Sequence, residues 1–196
     1  EIYDLVFWAA VGGIIGARVF YIFLNFSFFL SSPAEIFMIN HGGLAWQGGF
    51  VFGILTVVVF IRLKKRPLLV MADFIAPYLA LAQAVGRIGC FLNGCCYGKE
   101  FAYGVYFPVH DAVLHPTQLY ESALLFLLFF ILMRMRKRSL DAPGIIFISY
   151  VIFAPLFRFV VEFFRADHQP LFFGLSVFQY VCIVFFSAGI GMLIGR

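Results

Sequence analysis

Residues 145–164, IIFISYVIFAPLFRFVVEFF, decide the class of fold, because this apolar run of 20 residues is long enough to cross a bilayer. The rest of the chain has the same character. Of its 196 residues, 63% are apolar and 12% are charged, and the mean hydropathy is +0.99. Soluble domains have about 45–50% apolar and about 25% charged residues. The solvent must therefore be lipid, which excludes a disordered chain, a collagen, a secreted disulfide scaffold and a free nucleic-acid-binding domain.

Six segments of this kind predict an all-α, polytopic membrane bundle that forms one domain over residues 1–196. One of them contains Pro77 and precedes a glycine-rich stretch, so it is either a kinked or a broken span. The apolar runs lack the alternation of a membrane β-barrel. The predicted spans are 5–25, 43–63, 71–87, 119–133, 145–164 and 171–194.

Two short basic clusters predict the orientation. They hold eight of the fourteen Lys and Arg residues, and the positive-inside rule places both in the cytoplasm. They share one side only if residues 71–87 cross the membrane, which is the main argument for that span. The stretches 26–42, 87–116 and 165–170 then face outward, and the C-terminus is cytoplasmic. The clusters are Arg62, Lys64, Lys65 and Arg66, and Arg134, Arg136, Lys137 and Arg138.

Charged side chains within or beside a span are the first candidates for function, because they are costly in lipid. Arg158, Glu162 and Arg165 follow one another at i, i+4 and i+7, so they share one face of a helix. One reading is a structural Arg–Glu ladder between helices. The other is that Arg158 meets an anionic headgroup while Glu162 orients its guanidinium, since the planar fork of arginine suits phosphate.

The densest polar feature is residues 86–98, GRIGCFLNGCCYG. Its four glycines predict a broken helix, and irregular backbone in a membrane persists only where it is buried in protein or lines a cavity. We therefore expect glycine-rich broken segments around a cavity that opens to the outer side. Arg87 and Asn93 at such a bend favour anion binding, with helix packing as the alternative.

Two further motifs lie at outer ends of spans. Residues 42–49, GGLAWQGG, suit tight helix packing, but packing leaves the polar Gln47 unexplained. Residues 115–122, HPTQLYES, open a span, with Pro116 in the first turn and Glu121 near the positive end of the helix dipole. His115 is either a general base or a capping and interface residue.

The cysteines give a weaker signal. Cys90, Cys95 and Cys96 lack the paired C-x2-C spacing of zinc sites, so we expect no metal. A Cys90–Cys95 disulfide is one alternative, and unlinked small residues are the favoured interpretation. Cys182 lies in an apolar run and is interpreted as a small buried hydrophobic residue.

Taken together, the motifs resemble the bacterial prolipoprotein diacylglyceryl transferases along nearly the whole chain. The combination of the glycine–arginine block with the last two blocks is specific. The matching blocks are 12–18 (GGIIGAR), 42–49 (GGLAWQGG), 73–77 (DFIAP), 86–94 (GRIGCFLNG), 115–121 (HPTQLYE) and 158–165 (RFVVEFFR).

The resemblance implies an enzyme that moves the diacylglyceryl group of phosphatidylglycerol onto the lipobox cysteine thiol of a preprolipoprotein signal peptide and releases glycerol phosphate. It implies no cofactor and no nucleic-acid partner. It also implies a multi-pass protein of the bacterial cytoplasmic membrane whose active site faces outward. The implied catalytic residues are Arg87, Arg158 and Glu162, with His115 and Gln47 as further candidates. The predicted substrate-binding residues are Arg87, Asn93, Gly98, Arg165, Gly48 and Gly49.

Three departures from the family pattern matter. The family commonly carries His where Gln47 stands, and glutamine cannot accept a proton at neutral pH. The base is then His41, His115 or a phosphate oxygen of the lipid. Cys90 and Cys95 replace residues that are often Asn and Glu. The family also has seven spans, so we expect that a first span is missing here by truncation. Besides the transferase itself, two alternatives stay open: a paralogue with another lipid or acceptor, and a non-catalytic lipid or anion transporter.

Overall fold

The computed structural model describes residues 2–38, 42–136, 142–166 and 171–196. Within these residues, apolar α-helices dominate, and two short strands lie between the fourth and fifth helices. The helices are α1 (Ile2–Leu24), α2 (Phe26–Ser31), α3 (Trp46–Leu63), α4 (Leu68–Leu92), α5 (Thr117–Arg136), α6 (Ile145–Glu162) and α7 (Val177–Ile194). The strands are β1 (Glu100–Phe107) and β2 (Ala112–Leu114).

Six of these helices coincide with the six predicted spans. The helices α1, α4, α5, α6 and α7 are long and apolar enough to cross a membrane, and α3 is apolar over the slightly shorter stretch Gln47–Leu63. Large apolar side chains such as Phe130 and Val184 are exposed on them, as expected of surfaces that face lipid. The chain is a multi-pass helical membrane protein, and α4, which contains residues 71–87, is long and apolar enough for the predicted crossing.

The predicted break in α4 is wrong. The helix continues through Pro77, Gly86 and Gly89 and ends at Leu92. A Cβ atom added at Gly86 or Gly89 would meet nothing within 4 Å, so neither glycine is required by a close backbone approach. Lipid offers no hydrogen bonds that compete with those of the helix, so glycines do not interrupt the helix here. The irregular backbone begins only at Gly94, where φ is +70°.

The chain divides into two compact units, Glu1–Leu68 and Leu69–Arg196. In the first unit, α1 and α3 pack closely through glycines. A Cβ atom at Gly12 would overlap Thr56, and one at Gly16 would lie 2.8 Å from the carbonyl oxygen of Gly48. Small residues therefore let the two backbones approach, as in other membrane helix pairs.

Arg18 of α1 anchors the turns that precede α3. Arg18 is buried, and among the described residues its guanidinium donates to backbone carbonyl oxygens, including Gly42 at 2.6 Å and Gly43 at 3.0 Å. The Ala45 amide also donates to the Ala17 carbonyl at 3.0 Å. The remaining acceptors of Arg18 are the carbonyls of Glu35, Ile36 and Met38.

In the second unit, alanines of α4 allow α5 and α6 to pack against it. Ala76 and Ala80 are fully buried and join Leu128, Leu132 and Ile146 in the hydrophobic core. On α7, Gly189 lies against the α6 backbone, where a Cβ atom would come within 3.3 Å of the Ile152 nitrogen. Small side chains thus determine how closely these helices approach.

Asp73 of α4 joins that helix to the start of α6. Its carboxylate accepts hydrogen bonds from the Gly144 amide at 2.5 Å and the Phe147 amide at 2.8 Å. These amides belong to the first turn of α6, where backbone donors have no partner within the helix. Asp73 therefore caps α6 from a neighbouring helix.

The segment between α4 and α5 forms a β-hairpin that the sequence analysis did not predict. The strands β1 and β2 are antiparallel, with Tyr106 opposite Val113 and Phe107 opposite Ala112. The His110 ring bonds to the Gly94 carbonyl at 2.9 Å. The hairpin is thus attached to the turn that follows α4.

Candidate active site

Five charged side chains form a continuous chain of ion pairs. Glu121 accepts from two arginines, since its Oε1 lies 3.0 Å from Arg87 Nη2 and its Oε2 lies 3.2 Å from Arg158 Nη1. Glu162 is shared in the same way, since its Oε2 lies 2.8 Å from Arg158 Nη2 and 3.6 Å from Arg165 Nε. Guanidiniums and carboxylates therefore alternate, and each carboxylate serves two arginines.

Three helices supply four of the five side chains of this ion-pair chain, and Arg165 lies three residues beyond the end of α6. Arg87 lies near the end of α4, and Glu121 lies in the first turns of α5. Arg158 and Glu162 are one turn apart on α6, so the contact expected from their spacing is confirmed. The hydroxyl of Ser176, the N-cap of α7, donates to Glu162 Oε1 at 2.7 Å. That bond fixes the carboxylate from a fourth helix.

Charge and burial make the chain of ion pairs suited to an anion. Among the described residues, the three arginines and two carboxylates of this chain of ion pairs carry a net charge of +1. The carboxylate side chains are only 7% and 2% exposed for Glu121 and Glu162, whereas Arg158 is 14% and Arg87 25% exposed. The ring of Phe178 lies 5.6 Å from the Arg158 guanidinium carbon. Electrostatic attraction is stronger in such an apolar setting than in water, and Arg87 is the arginine most open to a ligand.

His115 lies at the junction of the hairpin and α5, among aromatic rings. It stacks on Phe101 with ring centroids 4.0 Å apart, and Phe164 meets it edge-on at 5.4 Å. Its Nδ1 lies 3.2 Å from the hydroxyl of Tyr120. The structure therefore gives His115 an interface environment and a hydrogen-bond partner, which is compatible with either role expected from the sequence.

Gly98 has a steric reason to be glycine. A Cβ atom there would lie 2.7 Å from the Phe164 carbonyl oxygen and 2.8 Å from that of His115. The segment is held there because the Gly98 amide donates to His115 and the Lys99 amide donates to Phe164. Asn93, by contrast, is exposed just after the end of α4. Of these two predicted substrate-binding residues, only Asn93 presents a side chain to the surroundings.

The cysteines of the turn after α4 are close together and free. The three sulfur atoms of Cys90, Cys95 and Cys96 lie within 4.8 Å of one another, and no disulfide joins them. Burial opposes ionisation of Cys95, but hydrogen bonds with Asn93 and the neighbouring thiols lower its pKa below the ordinary value of a cysteine. Cys182 is buried and free in α7, as expected.

The remaining candidates belong to the first unit or lie outside the described residues. Gln47 is exposed in the first turn of α3. Gly48 is buried against α1, where a Cβ atom would lie 3.0 Å from the Gly16 carbonyl carbon, and one at Gly49 would lie 3.4 Å from the Gly13 oxygen. The packing alternative thus accounts for both glycines, and their contact with substrate stays a prediction. His41 lies outside the described residues.

The central role of Glu121 was not predicted from the sequence. Glu121 was expected to interact with the α5 dipole, whereas the structure places its carboxylate between two arginines from other helices. The sequence did contain a signal for this role of Glu121. Glu121 is an acidic residue inside a predicted span, and buried carboxylates are normally paired with a cation.

Comparisons with known proteins identify the family to which the chain is similar. Residues 1–195 match the family described as "Prolipoprotein diacylglyceryl transferase". Three relatives carry the name "Phosphatidylglycerol--prolipoprotein diacylglyceryl transferase". The one from Geobacter sulfurreducens is 41% identical, covering 87% of this chain and 67% of the relative. The one from Listeria innocua is 36% identical (100% and 74% covered), and that from Idiomarina loihiensis is 34% identical (99% and 76% covered).

Proposed function

This chain belongs to the prolipoprotein diacylglyceryl transferase family, and we propose that it transfers the diacylglyceryl group of phosphatidylglycerol to a cysteine thiol of a prolipoprotein. The acceptor is the lipobox cysteine of a preprolipoprotein signal peptide, and glycerol phosphate is released. This is the first step of bacterial lipoprotein maturation. One observation carries the site assignment: Arg87 and Arg158, both partly buried, converge on the buried carboxylate of Glu121, and the five described side chains of the cluster carry a net charge of +1.

The charge of the cluster suits the charge change of this reaction. The acceptor sulfur forms a C–S bond with a glyceryl carbon, and the bond between that carbon and the phosphate oxygen breaks. The electron pair leaves with glycerol phosphate, whose phosphate passes from one negative charge towards two, and the thiol proton passes to a base. Excess positive charge therefore stabilises the transition state more than the bound lipid, which is the condition for catalysis.

Each charged residue has a role in this proposal. Arg87, the most exposed of the three arginines in the cluster, meets the phosphate of the incoming lipid. Arg158 stabilises the departing phosphate, and Glu121 positions both guanidiniums. Glu162 positions Arg158 and Arg165 from the other side. Asn93 adds a polar side chain near the lipid headgroup.

The test uses Arg87→Ala in membranes supplied with phosphatidylglycerol and a lipobox peptide. We expect thioether formation to fall by about 10²–10³, the usual effect of removing one group that stabilises developing charge. Arg62→Ala is the matched control, because it removes the same side chain from an exposed position at the end of α3. Undiminished transfer by Arg87→Ala overturns the assignment.

The base that accepts the thiol proton is a separate question, and His115 is the candidate with a described partner, Tyr120. We propose that it is the base. His115→Asn should then lower kcat/KM and remove the fall in activity on the acidic side of the pH profile. A uniform loss at every pH would instead assign His115 to the packing of Phe101 and Phe164.

A second candidate function within the family follows from Gln47. Glutamine replaces the histidine that the family commonly carries there, which favours a paralogue acting on another acceptor or lipid. Gln47→His distinguishes the two, because a gain in transfer to the lipobox peptide favours a drifted enzyme. Absence of that activity in both forms favours the paralogue. The transporter alternative is set aside, because the relatives are transferases.

The placement in the cell is also part of the proposal. The basic clusters support a cytoplasmic-membrane protein whose transfer site faces outward and whose C-terminus is cytoplasmic. A reporter enzyme fused after Arg196 that is active only in the cytoplasm should be active. If instead a reporter that is active only in the periplasm were active at this position, the proposed orientation would be wrong.

A further inference from the structure

Three thiols that the transfer reaction does not use converge at the end of α4. Cys90 lies in the last turn of this helix, and Cys95 and Cys96 lie in the turn that follows. Their sulfur atoms all lie within 4.8 Å of one another. The Cys95 thiol also lies 3.6 Å from the Cys90 carbonyl oxygen, to which it donates. Each cysteine is free and partly exposed, so a small ligand can reach the cluster.

The backbone around these thiols is held from outside the turn. Two buried side chains of α5 bond to it: Gln118 Nε2 donates to the Cys95 carbonyl at 2.6 Å, and Thr117 Oγ1 donates to the Cys96 carbonyl at 2.8 Å. Cys96 itself has φ +62°, a region that residues with a side chain seldom occupy. Such a conformation persists only where its surroundings impose it. The fold therefore holds the three thiols close together.

We propose that Cys90, Cys95 and Cys96 bind one soft divalent cation of the Zn²⁺ type, with a fourth coordination position left to water. Thiolates select soft cations over Mg²⁺ or Ca²⁺. Zinc–sulfur bonds of about 2.3 Å in tetrahedral geometry require sulfur atoms about 3.8 Å apart. The observed separations of up to 4.8 Å are close enough for side-chain rotation to complete the site. Each thiol that binds releases its proton to solvent, and no oxidation state changes.

The cation would join two helices that carry the charged cluster. Cys90 follows Arg87 by three residues on α4, and the turn is attached to Gln118, three residues before Glu121 on α5. A metal bound here therefore connects α4 and α5 beside the Arg87–Glu121 ion pair. This consequence for transfer rests on the proposed function, whereas metal binding itself does not.

The positions of the three cysteines in the fold also explain why their spacing in the sequence did not indicate a metal site. The C-x4-C-C pattern lacks two C-x2-C pairs, which bring ligands together by local geometry. Here a helix end and a turn fixed by another helix do so instead, and neither is visible in cysteine spacing.

The test titrates the purified, reduced full chain in detergent with Zn²⁺ against a chromophoric chelator, and with Co²⁺ to detect thiolate-to-metal charge-transfer absorption. We expect one equivalent per chain. Cys90→Ser, Cys95→Ser and Cys96→Ser should each weaken Zn²⁺ binding by more than about tenfold, since even residues that merely support ligands contribute this much. Cys182→Ser is the matched control and should bind as the parent does, because this cysteine lies apart in α7.

A measurement on the unmodified chain keeps the test valid if a serine variant fails to fold. Zn²⁺ should slow alkylation of Cys90, Cys95 and Cys96, located by peptide mass spectrometry, and should raise the thermal unfolding midpoint. Equal Zn²⁺ affinity in the parent and the triple serine variant overturns the proposal, as does a Cys90–Cys95 disulfide that persists after reductant treatment. Transfer activity is measured separately, so loss of activity with intact metal binding contradicts only the proposed function.

Discussion

Arg18 is a buried arginine and Arg158 a partly buried one, both within predicted spans, yet their partners differ completely. In the part of the chain that the structure describes, Arg18 donates to five neutral backbone carbonyls. Arg158 pairs with two carboxylates, each of which is shared with another arginine. Burial alone therefore does not separate them, since Arg18 is 7% and the Arg158 side chain 14% exposed.

The two arginines differ in whether a bound anion could replace one of the groups that now accept their hydrogen bonds. The acceptors of Arg18 are carbonyls of the chain itself, so replacing them would unfold the turns they belong to. The carboxylates around Arg158 are each shared between two guanidiniums, and the five described side chains together carry a net charge of +1. A phosphate can therefore enter the second arrangement without breaking the fold, and only the second is expected to act on substrate.

The largest expected effect tests Arg158 directly. Arg158→Lys keeps the charge but loses the fork that reaches Glu121 and Glu162 together. We expect kcat/KM for thioether formation to fall by about 10²–10³. Arg18→Lys, measured in the same membranes, should show no comparable loss per folded molecule. Equal losses in both variants would erase the distinction between the two arginines.

A smaller effect is expected from Glu121→Gln. This change raises the net charge of the cluster from +1 to +2 and removes the carboxylate that positions Arg87 and Arg158. The added charge attracts the lipid phosphate in the ground state as well, so KM for phosphatidylglycerol should not rise. Loss of positioning should lower kcat by about tenfold or more. A rise in KM with unchanged kcat would show that Glu121 acts on lipid binding alone.

The features that could be predicted from the sequence are those that depend on the pattern of residues within a single segment. Apolar runs located the six spans, and the i, i+4 spacing brought Arg158 together with Glu162. Glu121 joins Arg87 and Arg158 only because α4, α5 and α6 meet at one point, and no periodicity within a helix encodes that meeting. The number of glycines in residues 86–98 led to a wrong prediction for α4. It suggested a break near Gly86, although a helix in lipid keeps its hydrogen bonds through isolated glycines.

Arg18→Lys supplies the third prediction, this time on stability. Lysine carries three donors on one nitrogen and cannot reach carbonyls spread from Glu35 to Gly43. These hydrogen bonds are partly buried, and hydrogen bonds to a charged group contribute about 1.5–3 kcal/mol each, so losing several of them should lower the thermal unfolding midpoint in detergent clearly. Arg62→Lys, at an exposed position, is the control and should leave that midpoint unchanged. An unchanged midpoint in Arg18→Lys would show that water replaces the guanidinium.

The smallest effect concerns Asp73, the acidic counterpart of Arg18. Its carboxylate is occupied by the amides of Gly144 and Phe147, so it is satisfied by backbone groups just as Arg18 is. Asp73→Asn keeps one acceptor oxygen and loses the negative charge at the start of α6, which should cost about 1 kcal/mol of stability. Transfer per folded molecule should be unchanged, and parallel thermal unfolding and activity measurements check both expectations. A loss of transfer activity per folded molecule would contradict this expectation. It would show that a carboxylate bonded to backbone amides matters for transfer, so the type of partner would no longer distinguish structural from functional charges in this protein.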